Sequence, residues 1–105
     1  MTNALPPSVR EAVDRLLEVA VRDTGQSRRC RDFLLSWWNA ESCGGWDPID
    51  LWGLDLGLRQ DILRVLVYLA TPGACYPDSL GYKMAFDGLV RDWRPHLVGS
   101  PQQQP

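Results

Sequence analysis

At 105 residues, with 45% apolar residues, 23% charged residues and a formal charge of −2, the chain has the composition of one soluble globular domain long enough to bury a core. These values argue against a fibrous repeat, a disulfide scaffold or a markedly basic nucleic-acid-binding domain, and leave only a local basic face open. The start MTNALPPSVRE lacks a basic n-region, no stretch approaches the ~18 apolar residues of a membrane span, and Cys30, Cys43 and Cys75 lie far apart without a C-x-x-C pair. A cytoplasmic protein with reduced thiols and neither metal nor cofactor is the expectation.

In chain order, Ser8 with Glu11 three residues on reads as a capping box. Val9, Val13, Leu16, Leu17 and Ala20 then recur at helical spacing, which predicts a first helix over 9–23 that Gly25 stops. A second helix is capped at Ser27 and ended by Gly44-Gly45. Its apolar arc is wide: at ~100° per residue Cys30, Phe33, Leu34 and Trp37 fall together, and Trp38 and Leu35 carry the arc roughly another quarter-turn. One neighbour cannot cover such an arc, so either two elements sandwich this helix or Leu35 and Trp38 reach solvent. Asp47-Pro48 supplies the cap and first residue of a short helix over 48–52.

Asp55 caps a further helix over 56–70, whose stripe of Leu58, Ile62, Val65, Leu66 and Leu69 is joined on its flank by Leu63 and Val67. This is expected to be the most buried helix. Pro72-Gly73 breaks it, and GACYPDS is an irregular link. Asp78 caps a last helix that starts at Ser79 or Leu80, carries Tyr82, Phe86, Leu89, Val90 and Trp93, and stops at Pro95. Residues 99–105, GSPQQQP, read as a disordered tail. No segment alternates like a strand and no repeat is visible, so the predicted fold is all-α: a compact single domain over 1–98, a bundle of four main helices plus one short helix.

Four of the five tryptophans fall between Trp37 and Trp52. In the packing assignment Trp37 belongs to the second helix's stripe, Trp52 closes the short helix onto the core and Trp46 pins the glycine turn. In the competing assignment Trp38, Leu35 and Trp46 anchor a protein partner, and Glu41, Asp47 and Asp50 form an acidic rim that steers a basic surface. Arg28, Arg29 and Arg31 are the only basic cluster, and the alternative partner is nucleic acid held at its phosphates by that face. Catalysis is not expected. The single histidine, His96, follows Pro95 with no nucleophile near it in sequence, so a Cys-His site would need the fold to bring up Cys43 or Cys75. No phosphate loop, dinucleotide fingerprint or metal-ligand spacing occurs.

The strings DTGQSRRCRDFLLSWWNAESCGGWDPIDLW and YPDSLGYKMAFDGLVRDWRPHL resemble a family of small uncharacterised proteins carried by proteobacterial mobile elements, integrative conjugative elements among them, over residues 19–97. The resemblance implies a bacterial accessory protein and carries over no catalytic or binding residue. Mobile elements encode many small single-domain inhibitors of host defence, anti-CRISPR proteins included, together with regulators of transfer. The expected function is therefore a non-catalytic protein-interaction module, with an anti-CRISPR-like inhibitor as its sharpest form. A DNA-linked regulator and a homo-oligomeric (homodimeric) accessory protein of element transfer are the alternatives.

Overall fold

The structure is a computed structural model that describes residues 5–98, so the expected tail at 99–105 lies outside the described residues. Four α-helices, α1 (Pro7–Ala20), α2 (Gly25–Cys43), α3 (Leu56–Leu69) and α4 (Lys83–Trp93), are joined by 3-10 turns at Pro48–Gly53 and Pro77–Leu80 and followed by one at Pro95–Leu97. No strand occurs among the described residues, and the all-α expectation of four main helices with a short one between the second and third holds.

Local chemistry explains the boundaries. The expected capping box is not used: α1 begins at Pro7, with Pro6 as N-cap and no side-chain cap, so Ser8 already lies inside the helix. Proline's fixed φ and missing N–H suit the first helical position, which moves the start ahead of the serine. α2 is capped by Thr24, whose Oγ1 accepts from the Ser27 backbone N–H at 3.0 Å; Ser27, the expected cap, is buried one turn later and shares its hydroxyl with Thr24. Near its end α2 kinks at Asn39, whose backbone is extended and whose side chain accepts from Ser42 N–H, recapping the last turn.

Asp47 caps the first 3-10 turn through Ile49 N–H, as its place before Pro48 predicts. The last helix starts later than expected. Residues Pro77–Leu80 form a separate 3-10 turn that ends at Gly81 with φ +97°, a left-handed conformation that breaks the helical path before α4.

α2 is the hub. It packs against α1, α4 and the first two 3-10 turns, and α1 in turn packs against α3. The core is built from Val9, Val13 and Leu16 of α1, Phe33, Leu34, Leu35 and Trp37 of α2, Ile62 and Val65 of α3, and Phe86 and Leu89 of α4. Phe86 is the aromatic centre, meeting Trp37, Trp38 and Tyr82 edge-on with centroids 6.2, 5.6 and 6.4 Å away. The molecule is flat, 38 × 37 × 20 Å, about two helices deep given a helix diameter of roughly 10–12 Å with side chains. A flat arrangement leaves α3 at an edge: it packs extensively on α1 alone and buries only Asp61, Ile62 and Val65. The expectation that α3 is the most buried helix is thus corrected.

Candidate functional site

The wide apolar arc of α2 is resolved by sandwiching. Leu35 is fully buried (0% exposed), so the expected solvent-facing anchor is a core residue. Trp38 is half-buried with its edge on Phe86, and Trp46 is half-buried with its edge on Phe33, centroids 5.0 Å apart. Trp38, Asn39, Ser42 and Cys43 line a cleft of about 390 Å³ with Val90 and Leu97. Of the expected acidic rim, Glu41 and Asp47 are exposed, and Asp47 spends one carboxylate oxygen on its cap. Asp50 is half-buried, 3.4 Å from Arg28 and 3.7 Å from Arg29, so its charge is largely neutralised.

The three arginines do not form one basic face. Arg31 is buried, 5% exposed, and donates to the carbonyls of Ala20 and Arg22 at 2.9 and 2.6 Å while stacking on the Trp93 ring at 3.7 Å. It satisfies carbonyls left over at the C-terminus of α1, and burial lowers its pKa from the ordinary arginine value. Arg28 is exposed but pairs with Asp32 at 2.7 Å, and Asp32 in turn meets Arg94 at 2.9 Å. The expected face of Arg28, Arg29 and Arg31 fails at Arg31, because α1 ends where that guanidinium is needed.

Cys30 and Cys43 are buried, and desolvation pushes the Cys30 thiol up to about 12 and raises Cys43 as well. Both stay as neutral thiols near pH 7, the unreactive form. Cys75 is half-buried, and its Sγ lies 3.4 Å from the Gly73 carbonyl. Among the described residues no helix is long and apolar enough to cross a membrane, and no group of three His, Cys, Asp or Glu is placed to hold a metal ion.

Exposed apolar side chains lie elsewhere: singly at Val21, Tyr76, Met84 and Val98, and in greater number on the first 3-10 turn and the outer side of α3. Trp52 is 75% exposed, against the expectation that it closes the turn onto the core, and Ile49, Leu56, Leu63 and Val67 are exposed with it. In a 3-10 helix residues three apart eclipse, so Ile49 and Trp52 share a face, and Leu56 follows at the first residue of α3. The segment is rigidly held. Arg59 donates to the carbonyls of Leu54 and Trp52 at 2.8 and 3.2 Å, Gln26 exchanges hydrogen bonds with Asp55, and Asp50 ties the turn to α2 through Arg28 and Arg29. Gly53 lets the Arg29 guanidinium lie against the turn; a Cβ there would push the end of that side chain aside.

Spacing alone holds a cue to this face: Ile49 and Trp52 are three apart in a stretch too short and proline-led for an α-helix. A core assignment for every tryptophan hides it. The model of the Family of unknown function (DUF7673) matches residues 10–94. No curated protein and no solved structure matches the chain.

Proposed function

The chain belongs to that family of unknown function, and with this as premise we propose that it is a protein-interaction module that works by occupying a partner's surface without chemistry. The observation that carries the reading is Trp52, with three-quarters of its surface in solvent and exposed Ile49 three residues before it on a turn pinned by side-chain hydrogen bonds. Tryptophan is enriched among residues that dominate binding energy, and a rigid site loses little entropy on docking. Asp47, exposed at the start of the same turn, is the rim carboxylate of this surface. Buried, protonated thiols at Cys30 and Cys43 favour binding over covalent chemistry.

The finer form of the proposal is a cytoplasmic accessory protein of a bacterial mobile element, with inhibition of a host defence complex in the manner of an anti-CRISPR as the specific activity. Its support is the resemblance of the WWNAESCGG and YPDSLGY strings to small mobile-element proteins. Affinity capture from host lysate, identified by mass spectrometry, tests it with Trp52→Ala as the control. A stoichiometric partner captured by the wild-type chain and lost with W52A, at unchanged helical circular dichroism, is the expected result. Capture that W52A leaves intact, or no capture at all, overturns the reading.

A further inference from the structure

We draw no further inference here: the strongest candidate, the exposed apolar face of α3 formed by Leu56, Leu63 and Val67 with the groove of about 290 Å³ beside it, carries none because nothing in the structure shows what covers it.

Discussion

α1 and α3 are equally long, fourteen residues each, and pack on one another, yet they use their apolar residues differently. α1 buries Val9, Ala12, Val13, Leu16 and Ala20 and turns Glu11, Asp14, Arg15 and Glu18 to water, so its pattern matches what the fold encloses. α3 buries Ile62 and Val65 against α1 and leaves Leu56, Leu63 and Val67 uncovered. α1 has one apolar stripe and the fold encloses it; α3 has two and the fold encloses one.

The comparison can be broken first on the enclosed side. Phe86 is fully buried among Trp37, Trp38 and Tyr82, so Phe86→Ala should cost about 3–5 kcal/mol in urea denaturation through lost contacts and the cavity left behind. A cost under about 1 kcal/mol would mean that the aromatic centre is looser than described.

Alkaline pH probes the same side. Desolvation raises Cys30 from 9.0 to about 12, and desolvation together with the hydrogen bond to Asp14 raises Tyr82 from 10.0 to about 12. Both neutral forms are favoured by folding. Their contribution to stability is therefore full below the unfolded values and lost as pH rises through about 12. The urea midpoint should fall between pH 9 and 12, and Cys30→Ala should make that fall shallower. An unchanged slope in C30A would exclude Cys30 as a source.

At the boundary between the two faces of α3, Asp61→Asn should cost about 1–2 kcal/mol. It weakens charged hydrogen bonds to Arg15 and Arg64, both half in water and so already partly screened. The smallest stability effects belong to the outer face: Trp52→Ala and Leu63→Gln should each shift stability by no more than about 0.5 kcal/mol. A larger loss would show that these side chains support the fold after all.

Most of this architecture was legible from periodicity; of the expected caps only Asp47 acts through its side chain, Asp55 standing at the start of α3 without a capping bond and Asp78 lying in the 3-10 turn before α4. The stripes of the first and last helices, the Asp47-Pro48 turn and the break after the fourth decade of residues all follow from local chemistry. The misreadings share a cause, because local sequence does not report what lies across the fold. Ser8-Glu11 has capping spacing, but Pro7 lets the helix start earlier. Leu35 sits at the margin of a wide arc, and only the packing of α1, α4 and two 3-10 turns around α2 shows it to be enclosed. Arg31 reads as part of a basic cluster until the C-terminus of α1 is brought against it. Trp52 reads as core because tryptophan usually is, and its exposure depends on where a six-residue 3-10 turn lands on α2. The 4-3-4 spacing of Leu56, Gln60, Leu63 and Val67 was present in the sequence, hidden beside the inward stripe of the same helix.

The most direct measurement pairs stability with binding in a single variant, Trp52→Ala, assayed by urea denaturation and by capture of the partner that wild type retains. A denaturation midpoint within experimental scatter of wild type, together with loss of capture, is the predicted result. A large drop in the midpoint with capture intact would contradict the account, since it would place the indole in the service of this chain's own core.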